Sequence, residues 1–175
     1  MLTLEKTSNK KEIRNLYNEA FPKEERVPFA FLTFQEKRGK GCFYEARDEG
    51  QFVGLVYTIV KKKFVYIFYL AVSSHSRGHG YGSLILDAIK EQYPESIFVL
   101  LIEDTDNKKA DNYKQRLKRL AFYQKNGFHQ THTKIIEQGV KYEIMATASI
   151  KKEEYYAIVK PFFSNLIYYF IHKDI

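Results

Sequence analysis

The stretch Leu70-Ala71-Val72-Ser73-Ser74-His75-Ser76-Arg77-Gly78-His79-Gly80-Tyr81-Gly82-Ser83 begins as the end of a β-rich run and finishes as the start of a helical one. The apolar residues of Phe64 to Val72 read as a strand. From Tyr81 to Tyr93, Leu84, Ile85, Ala88 and Ile89 recur at helical spacing, and Pro94 stops the pattern. Between the two lie Gly78, Gly80 and Gly82. Glycine accepts positive φ and close backbone approach, so successive N–H groups can converge at the positive end of the following helix dipole. Such a concavity holds phosphate or pyrophosphate. Three glycines also make tight turns, so the loop alone leaves an anion nest and a plain turn both open. No Gly-x-x-x-x-Gly-Lys-Ser/Thr occurs, and the alternating glycines do not fit the dinucleotide Gly-x-Gly-x-x-Gly spacing.

Upstream, Leu2 to Lys6 alternates as an edge strand, and Ser8 or Asn9 is expected to cap a helix through Ile13, Leu16, Tyr17 and Ala20 that ends at Pro22. A second helix is expected over Val27 to Lys37, with Pro28 in its first turn, which makes Phe21 to Arg26 an interhelical loop. Three β-rich runs follow, Gly41 to Arg47, Phe52 to Val60 and Phe64 to Val72. Asp48-Glu49-Gly50-Gln51 and Lys61-Lys62-Lys63 join them as turns of an antiparallel meander.

Downstream, Ile97 to Ile102 is a continuous apolar run, the mark of a strand covered on both faces. The polar segment Glu103 to Asn112 leads into a helix ending near Asn126-Gly127. Phe128 to Glu137 and Val140 to Ala148, joined at Gln138-Gly139, read as a closing hairpin. Ser149 is expected to cap a last helix interrupted at Pro161. The whole is a mixed α/β (α+β) order, one strand-helix-strand crossover inside an otherwise antiparallel sheet, which excludes a regular doubly wound fold. A single domain over residues 1–175 is expected: an acceptor-side strand and helices over 1–40, a core over 41–148 and a helical extension over 149–175.

The 175 residues, 45% apolar and 16% aromatic, are enough to fill one core. No secretory leader precedes the first strand and the lone Cys42 cannot form an internal disulfide, so a cytoplasmic location is the expectation. Pro161 to Ile171 is apolar but far short of the roughly 20 residues a spanning helix needs, so no membrane span is expected. Its aromatics mark the place to look for a homodimer interface. The net charge of +7 is concentrated in Lys108 to Lys125, where seven basic residues stand against Asp111 alone. One basic helix meets a phosphorylated cofactor as easily as a duplex, so a nucleic-acid binder is kept as a rival and no nucleic-acid partner is expected. His75 and His79 follow no metal-ligand spacing, and no metal is expected.

Leu70 to Gly82 resembles the acyl-CoA signature of the GNAT acyltransferases, Arg/Gln-x-x-Gly-x-Gly/Ala, matched by Arg77, Gly80 and Gly82. Ala121-Phe122-Tyr123-Gln124-Lys125-Asn126-Gly127-Phe128 resembles the same family's helix-end pattern of Tyr, a short spacer, Gly and Phe. The two motifs are one helix, one strand and another helix apart, as in the family, and the resemblance spans Gln51 to Ile144. It implies a mostly antiparallel central sheet of about seven strands flanked by helices, here with an extra C-terminal helical segment. The implied reaction is acetyl transfer from acetyl-CoA to a primary amine, small molecule or peptide, by direct attack in a ternary complex. A non-catalytic acyl-CoA-binding sensor or partner module is the alternative.

Carried over position by position, the resemblance implies that Leu70, Ala71 and Val72 hold the pantetheine arm through their backbone. It likewise implies that Arg77, Gly78, His79, Gly80, Tyr81, Gly82 and Ser83 wrap the pyrophosphate. Tyr123 would be the general acid for the departing thiolate. Family members often carry Asn seven residues before that tyrosine and Ala four before; this chain has Arg116 and Arg119. Arg116 is expected either to reach CoA phosphates or to be solvated. An amine with pKa about 10.4 must lose a proton before attack, through a base or a water relay. Glu103 is the first candidate base, with Asp104 and Asp106 beside it. Glu24 and Glu25, in the interhelical loop, are expected to face a cationic acceptor.

Overall fold

The computed structural model describes the backbone of residues 1–7, 9–137 and 139–171, and their side chains except Glu24 and residues 164–171. In chain order the elements are β1 (Leu2–Lys6), α1 (Lys11–Ala20), a 3₁₀ turn (Lys23–Glu25), α2 (Phe29–Lys37), β2 (Cys42–Asp48), β3 (Gln51–Lys61) and β4 (Phe64–Val72). A second 3₁₀ turn (Ser74–Ser76) leads to α3 (Tyr81–Gln92), β5 (Ile97–Glu103), α4 (Tyr113–Lys125), β6 (His129–Glu137), β7 (Val140–Ala146) and α5 (Lys152–Ile171). The seven strands form one sheet in the order β1-β2-β3-β4-β5-β7-β6. The β4–β5 pair is parallel, and the other recorded ladders are antiparallel. The chain clusters into two compact units, with limits near the end of β3, inside β4 and before β5.

The first unit takes Met1–Val60 and Ile67–Ser96. Glu49 and Gly50 both have positive φ, the pair of left-handed residues that a two-residue hairpin matched to strand twist requires. Strand alternation then sorts the sheet's two faces. Phe43 and Tyr57 are cross-strand partners with rings 4.5 Å apart, and Tyr57 donates to Leu32 O of α2 at 3.0 Å. From α1, Tyr17 meets Tyr69 of β4 edge-on at 4.9 Å. The opposite face receives α3, which buries Ile85, Leu86 and Ile89, each worth about 1.5–3 kcal/mol. The Tyr93 hydroxyl just beyond α3 bonds Tyr44 at 2.7 Å.

The second unit takes Lys61–Tyr66 and Ile97–Ile175. Phe64, Val65 and Tyr66 pair with Ile97, Phe98 and Val99, and β5 pairs on its other side with β7. Phe98, Val99, Leu100 and Ile102 are buried, as a continuous apolar run requires. Helix α4 buries no residue fully. It ends in a Schellman cap: Phe128 N–H donates to Tyr123 O and Gly127 N–H to Gln124 O, both at 3.0 Å, with Gly127 at φ +82°.

Four expectations change. Ser8 lies outside the described residues and Lys10 occupies the α1 N-cap without a side-chain bond; the Asn9 carboxamide instead accepts from Lys11 N–H at 3.3 Å. Pro28, expected inside the first turn, is itself the α2 N-cap, because its extended ψ of 127° keeps it outside the helix. Ser149 does not cap α5, where the Glu154 carboxylate turns back to accept from Lys151 N–H at 2.9 Å. Pro161 does not interrupt α5 either. Proline removes one helical hydrogen bond, and the burial of Ile158, Val159, Phe162 and Phe163 around it outweighs that loss. Gln138 of the expected closing turn is outside the described residues.

Candidate active site

In the first unit the site is made by the main chain. Ser73 N–H donates to Val53 O of β3 at 2.9 Å and Ser76 N–H to Ser73 O at 2.9 Å, which ties the segment after β4 to the sheet. Gly78 at φ +82° and Gly80 at φ +81° then turn the chain into α3. Gly80 is the α3 N-cap in the left-handed conformation, and no side chain caps that helix end. The loop is exposed from Arg77 to Gly80. Uncapped N–H groups, positive-φ glycines and a helix dipole aimed at solvent are what an anionic pyrophosphate needs, so the residues fit that group.

The side chains of this loop have other partners. The Arg77 guanidinium folds back, Nε donating to Val72 O at 3.2 Å and a terminal nitrogen lying 3.8 Å from Glu19. The Tyr81 hydroxyl donates to Asp48 at 2.8 Å. That bond holds the Asp48 carboxyl below and the Tyr81 phenol above their ordinary ranges. Arg77 and Tyr81 therefore brace the loop, and the groups left facing outward are backbone groups, with exposed His79 beside them.

Two residues that sequence reasoning passed over set this geometry. A Cβ on Gly54 would lie 2.6 Å from Ala71 O and 2.7 Å from Ile85, so only glycine lets β3 carry the end of β4 and the face of α3 this closely. A glycine inside an apolar strand was the available signal. The second is Tyr69, whose hydroxyl accepts from Val27 N–H at 3.0 Å and donates to Glu25 O at 3.1 Å, pinning the interhelical loop to β4. Tyr17 OH donates to Val27 O at 2.7 Å. The Tyr17 phenol is pushed up by burial, then by Tyr69. The Glu25 side chain is exposed, while that of Glu24 is outside the described residues.

In the second unit the site is made by side chains. Asn112, Arg116, Arg119 and Tyr123 recur along α4 at helical spacing and form one stripe. Glu103, 9% exposed at the end of β5, takes Arg116 on Oε1 at 2.9 Å and Arg119 on Oε2 at 2.8 Å; the Asn112 amide donates to both oxygens at 2.9 and 3.2 Å. Arg116 also donates from Nε to Asn112 Oδ1 at 2.6 Å and from a terminal nitrogen to Asp104 O at 2.8 Å. This corrects two expectations. Glu103 is not placed as a proton acceptor, because both its oxygens are filled by cationic and amide donors. Arg116 is not solvated: its side chain is 15% exposed, and all three of its guanidinium nitrogens donate into this network.

The neighbouring acids are engaged as well. Asp104 meets Lys134 at 2.7 Å and Lys141 at 3.4 Å, and Lys134 also reaches Asp106. Burial pushes the Asp104 carboxyl up, but the hydrogen bonds from Lys134, Asp106 N–H and Lys141 together hold it below its usual range. Tyr123 is half-buried, with Phe122 and Phe128 at ring separations of 5.1 and 5.8 Å. Desolvation pushes its phenol up to about 12, against the opposing influence of Arg119.

A seven-stranded mixed sheet with one parallel pair, a glycine-capped crossover helix and a later helix ending in Tyr-x-x-x-Gly-Phe defines a class of acyl-transfer proteins. The family model described as Acetyltransferase (GNAT) family matches residues 10–128, and the chain belongs to that family. No match is found among curated proteins. Among solved structures, a GNAT-family acetyltransferase from Bacteroides thetaiotaomicron aligns with a TM-score of 0.72 at 20% identity, over 91% of this chain and 93% of its own. Arabidopsis thaliana Naa50, in complex with the bisubstrate analogue CoA-Ac-MVNAL, aligns at 0.59 and 19% identity over 85% and 99%. A variant of SpeG spermidine N-acetyltransferase from Vibrio cholerae aligns at 0.61 and 16% identity over 83% and 92%. At these identities the likenesses establish the GNAT fold and no more.

Proposed function

We propose that this acetyltransferase moves an acetyl group from acetyl-CoA to a primary amine by direct attack. The observation that carries the donor half is the uncapped N-terminus of α3, entered through positive-φ Gly78 and Gly80 directly after β4. In this reading Gly78, Gly80, Tyr81 and Gly82 hold the pyrophosphate through backbone N–H groups, Ser83 N–H being bonded to Gly80 O at 3.0 Å, and Leu70, Ala71 and Val72 hold the pantetheine arm. Arg77 and Tyr81 brace the loop. Names among the structural relatives, spermidine for one and a CoA-linked peptide analogue for another, support an amine acceptor.

The amine nitrogen forms a bond to the acetyl carbon while the carbon–sulfur bond breaks, and the departing thiolate takes its proton from the Tyr123 phenol. A thiolate with pKa about 8.5 is a weaker base than a phenolate, so a positioned phenol assists only if its developing negative charge is stabilised. The amine proton leaves through a water relay, the route left once Glu103, Asp104 and Asp106 are engaged by cations. Glu25 is the described acid of the interhelical loop proposed to meet a cationic acceptor.

The test is thiol release from acetyl-CoA with a panel of polyamines, amino acids and peptides, repeated with Tyr123→Phe. Amine-dependent release that falls about 10²–10⁴-fold in the variant is expected. Tight CoA binding with no turnover on any amine would overturn the enzymatic reading in favour of a binding module.

A further inference from the structure

The position four residues before Tyr123 is Arg119, one helical turn along the same stripe of α4. Its guanidinium is not loose. Glu103 Oε2 receives it at 2.8 Å, and that carboxylate is fixed in turn by Arg116 and by the Asn112 amide. Two bonds to Asn112 Oδ1 and Asp104 O fix Arg116 itself. Arg119 is thus the outermost member of a network anchored on β5, with 44% of its side chain still exposed. Around the phenol stand the apolar rings of Phe122 and Phe128. Arg119 lies one helical turn before the phenol and opposes the rise that burial causes, and its guanidinium is held by Glu103 of β5.

We propose that Arg119, held in place by Glu103, is a positioning residue whose fixed positive charge stabilises the negative charge developing on Tyr123 as the phenol gives up its proton. The inference rests on the reading of Tyr123 as proton donor and explains how such a donor works among aromatic neighbours. An apolar shell disfavours the phenolate, and a cation one turn away offsets part of that cost. Arginine suits the task because its fork can keep one N–H on the Glu103 carboxylate while its charge stays constant with pH. The network also gives Glu103 a role in which its saturation is an advantage.

The experiment uses the full-length protein labelled with [¹³Cζ]tyrosine, with the Tyr123 resonance assigned by its loss in Tyr123→Phe. Arg119→Gln is expected to move the phenol titration upward and to lower kcat about tenfold with KM for acetyl-CoA unchanged, while Arg119→Lys recovers most of both. Glu103→Gln, which keeps the shape and loses the anion, is expected to broaden the Tyr123 resonance and lower kcat as well. Circular dichroism of each variant checks that it folds. If Tyr123→Phe loses activity but Arg119→Gln changes neither kcat nor the titration, the role of Arg119 is overturned and that of Tyr123 stands. If Tyr123→Phe turns over like the parent, the proton-donor reading falls, and this inference with it.

Discussion

The two units solve the same kind of problem, fixing charge in space, with different materials. The first presents backbone N–H groups at the mouth of α3, and its side chains Arg77 and Tyr81 turn back to brace the loop. The second presents side chains, Glu103 holding two arginines along α4 below Tyr123. A main-chain site depends on φ and on close approach, so it is vulnerable at glycines. A side-chain site depends on pairing, so it is vulnerable to losing one charge. The variants below separate these two kinds of vulnerability.

Removing the Tyr123 hydroxyl carries the largest expected effect, a fall in kcat of about 10²–10⁴-fold with the fold intact. The ring of phenylalanine keeps the contacts to Phe122 and Phe128. Thermal unfolding of Tyr123→Phe should therefore stay close to that of the parent, and a large loss of stability would mean that the tyrosine is structural first.

Glu103→Leu is expected to cost stability as well as activity. It leaves Arg116, 15% exposed, without its carboxylate, and breaking one partner of a largely buried pair costs about 3 kcal/mol. Urea titration should show the lowered midpoint. Arg116→Met in the Glu103→Leu background should recover part of it, because the second change removes the stranded charge. Failure of the double variant to improve on the single one would show that the network contributes little to the fold.

The same contrast explains what could be read in advance. Gly78, Gly80 and Gly82 announce themselves because the backbone conformation they permit is a property of the residue and its place between strand and helix. Arg116 and Arg119 do not, since the partner of a long cation depends on which strand end lies beneath the helix. Glu103 looked like an acid awaiting a proton; pairing across 13 and 16 positions of sequence turned it into a structural anion. The order of elements along the chain and the crossover were legible from periodicity and turns, whereas the placing of β7 between β5 and β6 was not, and the α5 cap was displaced from Ser149 by a competing bond at Lys151 and Glu154. Pro161 misled because a local rule on helix breaking was outweighed by burial along α5.

On the main-chain side, Gly54→Ala is expected to cost roughly 1–3 kcal/mol by overpacking, since its Cβ would meet a backbone carbonyl that cannot rotate away. Gly80→Ala meets open space and costs about 1–2 kcal/mol through its left-handed φ alone. Gly54 lies under the end of β4, before the loop, and Gly80 sits at the loop's centre. Calorimetry of CoA binding should accordingly show the larger loss for Gly80→Ala and chemical denaturation the larger loss for Gly54→Ala. The reverse ranking would place the anion site elsewhere.

The smallest effect is expected at Tyr69, where the two kinds of site meet in one residue: a side chain on β4 that fixes the backbone of the interhelical loop. Tyr69→Phe keeps the edge-on packing with Tyr17 at 4.9 Å and with Phe21 at 4.8 Å, so the aromatic core should survive. What it removes is an acceptor for Val27 N–H and a donor to Glu25 O, neutral bonds worth about 1 kcal/mol each. Tyr17 still holds Val27 O, so the loop loosens without detaching. If the loop meets the amine, acceptor KM should rise a few-fold while KM for acetyl-CoA and the loss caused by Tyr123→Phe stay as they were. An unchanged acceptor KM together with a lowered unfolding midpoint would confine Tyr69 to the fold and move the acceptor away from Glu25.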